Sequence, residues 1–122
     1  MMRILIIDDD NDIARALEKF LTIKGHSCKT LNKGSDGLKA IQADSFDIIL
    51  LDLRMPEWNG FDILRMLAYG GILHDKKVIV ISALDLTAKE KEQMKAAGVV
   101  DILSKPFSPV ALEKAIESLQ PK

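Results

Sequence analysis

At 122 residues, 48% hydrophobic and 29% charged, the chain is sized for one globular domain with a single core. A formal net charge of -1 excludes the broad basic footprint of a nucleic-acid binder. The single cysteine, Cys28, excludes an intrachain disulfide and points to a reducing compartment. No apolar run is long enough for a signal-peptide core or a membrane span, so the expectation is a cytoplasmic domain that enters no membrane.

Arg3 to Ile7 reads as a buried strand cut off by Asp8, Asp9 and Asp10. Ile13, Leu17, Phe20 and Leu21 then recur at helical spacing. Asp10 or Asn11 is placed to cap that helix and Gly25 to end it. Ser27 to Leu31 is a second short strand, and a helix marked by Leu38 and Ile41 follows from about Ser35 to Ala43, with Gly34 or Ser35 at its start. The central strand runs through Ile48–Leu51, stops at Asp52, and meets a turn forced by Pro56. Asn59 caps a third helix carrying Ile63, Leu64 and Leu67, which Gly70 and Gly71 break.

Val78 to Ile81 is another unbroken apolar run, ended by Ser82 and Ala83. Thr87 and Glu90 have capping-box spacing, and the charged helix they open closes at Gly98. Val99 to Leu103 reads as the fifth strand, leading to Ser104–Phe107. Ser108 caps and Pro109 begins a last helix with Leu112, Ala115, Ile116 and Leu119 on one stripe. Five strands alternating with five helices, three strands being wholly apolar, predict an α/β parallel sheet with helices on both faces. Residues 1–119 make the domain and 120–122 a short tail.

Strands one, three, four and five end in Asp8-Asp9, Asp52, Ser82 and Lys105. Parallel strands present their carboxyl ends on one edge, where open α/β sheets bind ligands, so these side chains converge if the fold is right. Acids crowded together repel, and a hard divalent cation such as Mg²⁺ removes that penalty while leaving positions for phosphate oxygens. One carboxylate is then free to act as a nucleophile in phosphoryl transfer. Lys105 offers a point cation and Ser82 a hydroxyl donor to the phosphoryl oxygens.

The segments Ile6-Ile7-Asp8-Asp9, Leu50-Leu51-Asp52-Leu53-Arg54-Met55-Pro56, Ser82-Ala83 and Lys105-Pro106-Phe107 resemble the receiver domain of two-component response regulators, in order and separation over nearly the whole chain. The resemblance implies the flavodoxin-like strand order 2-1-3-4-5 and a cis Lys105–Pro106 bond. It also implies that Asp52 accepts a phosphoryl group from a histidine kinase or phosphotransfer protein. Asp8 and Asp9 would hold Mg²⁺, with Asp52 and the Arg54 backbone carbonyl completing the protein ligands, and Ser82 and Lys105 would bind the phosphoryl group. Arg54 and Leu84 fall at positions that tune phosphoryl lifetime. Ser82 and Ile102 fall at switch positions, Ile102 standing where many members carry an aromatic residue. The product would be a switched protein–protein surface toward a downstream target, or a phosphorylation-dependent homodimer.

Three rival readings start from the same residues. A vestigial site serving only as an interaction module fits less well, because the acid pair, acceptor, hydroxyl and lysine are all present. An aspartyl-nucleophile phosphatase would need an acid two residues past Asp52, where Arg54 stands, and a flavin-binding electron carrier would need phosphate-binding donors after strand one, where three acids would repel a phosphate. Trp58, six residues past Asp52, is expected near the acidic pocket. Cys28 is expected to pack in the core, the run Lys89–Lys95 to be a solvated face, and His26 and His74 to be inert.

Overall fold

The structure, a computed structural model, describes residues 2–54, 60–70, 76–83 and 85–119. Its elements are β1 (Arg3–Ile7), α1 (Asn11–Ile23), β2 (Ser27–Leu31), α2 (Gly34–Ala43) and β3 (Ile48–Asp52). These are followed by α3 (Gly60–Tyr69), β4 (Lys77–Ser82), α4 (Ala88–Ala97), β5 (Asp101–Ser104) and α5 (Pro109–Glu117). The strands form one parallel sheet in the order β2-β1-β3-β4-β5, as the resemblance implied.

Alternation along the strands divides the core between the two sheet faces. Ile4, Ile6, Ile48, Leu50, Ile79 and Ile81 pack with α1 and α5, whereas Leu5, Ile7, Ile49, Leu51, Val78 and Val80 pack with α2, α3 and α4. Because β1, β3 and β4 are covered on both sides, they read in the sequence as unbroken apolar runs. Cys28 is half-buried against the α1–α5 layer, in line with a packing role.

Local chemistry sets the helix limits. The Asp10 carboxylate accepts from the backbone N–H groups of Asp12 and Ile13 at 3.0 and 3.2 Å and so caps α1. Gly25, at φ 95°, supplies the left-handed turn that ends it. The Thr87–Glu90 capping box opens α4 as expected, with both reciprocal bonds formed. Ser108 caps α5 with Pro109 in its first turn. At Gly37 in α2 a Cβ would lie 2.5 Å from Ile7 Cδ1, so this helix approaches β1 as closely as it does only because a glycine is there.

The fifth strand starts later than its apolar sequence suggests: it is Asp101–Ser104, not Val99–Leu103. Val99 still donates to the Met94 carbonyl at the end of α4, and its side chain is buried as an anchor below that helix. Apolarity at Val99 therefore reports burial rather than strand pairing. Helix α2 begins at Gly34, the earlier of the two expected starts. The expected features at Pro56, Trp58, Asn59, Gly71, His74, Leu84 and residues 120–122 lie outside the described residues.

The amino end of β1 is tied to the approach of β3. Arg3 forks onto the Asp44 carboxylate at 3.1 and 3.0 Å, reaches the Ser45 carbonyl at 2.6 Å and lies 5.0 Å from the Phe46 ring centre. The guanidinium hydrogen bond draws the Asp44 carboxyl down to about 2. The Arg3 backbone N–H donates to Asp47 at 2.8 Å, which helps fix the register that brings β3 beside β1.

Candidate functional site

Among the described residues the buried polar side chains are Asp8, Asp52 and Ser82, and all three stand at the carboxyl edge of the sheet. Their placement follows from register. Ile7 pairs with Leu51, so Asp8 and Asp52 leave adjacent strands side by side. Ser82 closes β4 opposite Ser104, and Lys105 is the next residue along. The Lys105 backbone N–H donates to the Ser82 carbonyl at 2.7 Å, and the Lys105–Pro106 bond is cis, as the resemblance implied.

Lys105 Nζ lies 3.2 Å from Asp8 Oδ2 and 3.3 Å from Asp52 Oδ2, bridging the two acids. The remaining oxygen of each carboxylate accepts from backbone: Asp8 Oδ1 from the Asp10 N–H at 2.9 Å, and Asp52 Oδ1 from the Arg54 N–H at 3.0 Å. Asp9 is exposed, yet carboxylate oxygens of Asp8, Asp9 and Asp52 all fall within 4.8 Å of one another. Ser82 is buried at the same edge, with interactions of its own.

Burying carboxylates is costly and stabilises a fold poorly, which makes this cluster a functional candidate. Burial raises the Asp8 carboxyl above its ordinary value, with the neighbouring Asp52 charge adding to the rise, and the Asp10 N–H and Lys105 offset only part of it. For Lys105 burial alone would depress the ammonium, but Asp52 and Asp8 together hold it above its ordinary value and keep it charged. Three carboxylates thus face one ammonium. The surplus negative charge and an all-oxygen donor set fit a hard divalent cation.

Of the residues singled out in the sequence, Asp8, Asp9, Asp52, Ser82 and Lys105 come together. The Arg54 side chain is exposed at the rim, and Ile102 is half-buried against the α2–α3–α4 layer. Leu84 lies outside the described residues. Sequence reasoning missed the two backbone N–H groups, of Asp10 and Arg54, that hold the acids. The one available signal was position, each lying two residues past the acid it serves.

The family model for the response regulator receiver domain matches residues 4–117. The chain belongs to that family. Receiver domains are parts of two-component signalling proteins, and curated relatives named as response regulators match the chain. A probable transcriptional regulator, ycf27 of Cyanidium caldarium, is 34% identical over 116 residues, covering 95% of this chain and 45% of the relative. The chain spans about half the length of the curated relatives it matches. Among solved structures, a Francisella response regulator receiver domain superposes with a TM-score of 0.89 at 29% identity, covering 98% of this chain and 96% of that one. The BeF3-activated DrrB receiver domain gives 0.80 at 27% identity, covering 98% and 97%. Among the described residues no helix is long and apolar enough to cross a membrane.

Proposed function

We propose that the domain is a phosphoryl-operated switch in which Asp52 is the acceptor. The observation that carries this reading is the sharing of one ammonium by two buried carboxylates, Asp8 and Asp52, beside a third acid. Burying two carboxylates around one ammonium is a poor way to gain stability, which favours a functional reading.

In the proposed transfer, an Asp52 carboxylate oxygen attacks the phosphorus of a phosphohistidine on a histidine kinase or phosphotransfer protein. The phosphorus–nitrogen bond breaks, and the departing imidazole keeps the electron pair and takes a proton. Asp8, Asp9, Asp52 and the Arg54 backbone carbonyl would hold Mg²⁺, which supplies charge neutralisation for the incoming phosphoryl oxygens. Lys105 is already poised over Asp52, so its ammonium can follow the phosphoryl oxygens as charge builds on them. The Ser82 hydroxyl at the end of the neighbouring strand offers a second donor. Arg54 at the rim and Leu84 would set access of the hydrolysing water and so the lifetime of the acyl phosphate.

Phosphorylation places close to two negative charges at the sheet edge. Movement of Ser82 and Lys105 toward them would be felt in the loop after β4 and in the packing of Ile102 and α4, changing a protein-binding face. The reading makes the domain a phosphoacceptor of the cytoplasm that turns over only its own phosphoryl group and works on a downstream protein target, including a second copy of itself. It contacts no nucleic acid directly.

Intact mass after treatment with acetyl phosphate tests it: wild type should gain about 80 Da per chain with Mg²⁺ present, and Asp52→Asn should gain nothing. Wild type that never gains this mass with Mg²⁺ and a small-molecule donor would reduce the domain to an interaction module.

A further inference from the structure

His26 lies at the opposite end of the molecule from the acidic cluster, between the end of α1 and the start of β2. Its backbone N–H donates to the Leu21 carbonyl, which fixes the residue against α1. Its imidazole Nδ1 accepts the backbone N–H of Met2 at 3.2 Å, across 24 positions of chain. On its other side Met2 gives its carbonyl to the Ser27 N–H at 2.9 Å. Met2 is therefore gripped twice, and only the histidine grip depends on protonation. The Met2 side chain is buried in the α1–α5 layer, so the grip fastens the entry of β1 into that layer.

An imidazole that accepts at Nδ1 carries its proton on Nε2 and is neutral. Protonation puts a second N–H on Nδ1, directly against the N–H of Met2, and the bond is lost. The charged groups around the ring decide where an imidazolium would turn. A pocket of about 220 Å³ is lined by His26 together with Lys24, just past the end of α1, and Glu113 and Glu117 from α5. Lys24 already pairs with Glu113 at 3.4 Å across the α1–α5 seam. Among the described residues, Met2, just before β1, presents its backbone N–H to the ring. Burial, followed by the positive charge of the chain's α-amino group, pushes the His26 imidazole below its ordinary value.

We infer that His26 is a proton-operated latch on the entry of β1: neutral, it holds the Met2 N–H; protonated, it releases Met2 and turns toward Glu113 and Glu117 across the α1–α5 seam. This device does not rest on the phosphoacceptor reading, because none of its groups belongs to the acidic cluster. It differs from an ordinary half-buried histidine in having an acceptor role that vanishes on protonation and two glutamates in the lining of the same pocket.

The test uses the whole chain, with ring ¹⁵N shifts for the tautomer and amide exchange for the bond. Wild type should show the Nε2–H tautomer at about pH 7.5 and a His26 midpoint below the unperturbed value of about 6.5. Below that midpoint the protection factor of the Met2 amide should fall by about tenfold per pH unit. In His26→Asn the side-chain oxygen takes the place of Nδ1 and accepts at every pH, so Met2 protection should be flat over the same range. An Nδ1–H tautomer in wild type, or the same Met2 profile in wild type and His26→Asn, would overturn the latch. The tautomer is read on the unaltered protein, so a variant that fails to fold does not shelter the proposal.

Discussion

Asp8 is the residue at which function and stability pull in opposite directions. Its carboxyl titrates above the ordinary range because burial disfavours the ionised form, and Lys105, shared with Asp52, compensates only in part. A group whose folded value is raised stabilises the fold below its unfolded value, and that contribution is lost as pH rises through the raised one. At neutral pH an ionised Asp8 is therefore a net cost. Asp8→Asn should make the metal-free domain more stable by on the order of 1 kcal/mol, seen as a rise in melting temperature in chelator. With Mg²⁺ the order should narrow or reverse, since only the intact acid cluster gains from binding the ion. A variant that melts below wild type in chelator would show that Asp8 is there for stability. At this scale the sequence was informative where a charge ends an apolar run, as at Asp8 and Asp52. It was silent on the Asp10 and Arg54 N–H groups, because every residue but proline carries one and only the turn after the strand aims it.

Among the elements, the buried strands announce themselves by composition, whereas the helices depend on where they are allowed to approach. β1, β3 and β4 were legible because covering both faces leaves no position for a polar residue. β5 was drawn two residues early because Val99 is apolar for a different reason, the anchoring of the end of α4. The tight seat of α2 on β1 was not legible, since a glycine inside a helical pattern looks like a weakness until its neighbour is known. Gly37→Ala should gain about 1 kcal/mol of helix propensity but lose about 1–3 kcal/mol to overpacking against fully buried Ile7. The expected result is net destabilisation in urea. Ile7→Val removes the Cδ1 atom that the new Cβ would meet, so the pair should be less damaging than the sum of the single changes. Strict additivity would place the strain elsewhere.

Over the whole molecule, the meeting of Asp8, Asp52 and Lys105 is a property of strand order, which no local window of sequence contains. The alternation of strands and helices led to a parallel sheet, but the order β2-β1-β3-β4-β5 came from the family resemblance, and the register then brought the acids together. The same architecture distributes stability unevenly. α1 buries Ala14, Leu17 and Leu21, whereas α4 buries Met94 alone and is otherwise a charged, solvated helix started by its capping box. With Met94 its one buried residue and Val99 anchoring only its end, α4 can change its seat without disturbing the sheet, which suits the proposed role of reporting on events at the sheet edge. Amide exchange should therefore be faster along α4 than along α1 in the unmodified protein. Met94→Ala should widen the gap while β1, β3 and β4 stay protected, at a global loss of about 2 kcal/mol or more. Loading Asp52 with a phosphoryl group should alter exchange in α4 more than in α1. Equal protection of the two helices before and after loading would mean that Met94, with Val99 at the helix end, seats α4 as firmly as three residues seat α1, and the signal would have to leave the site by another element.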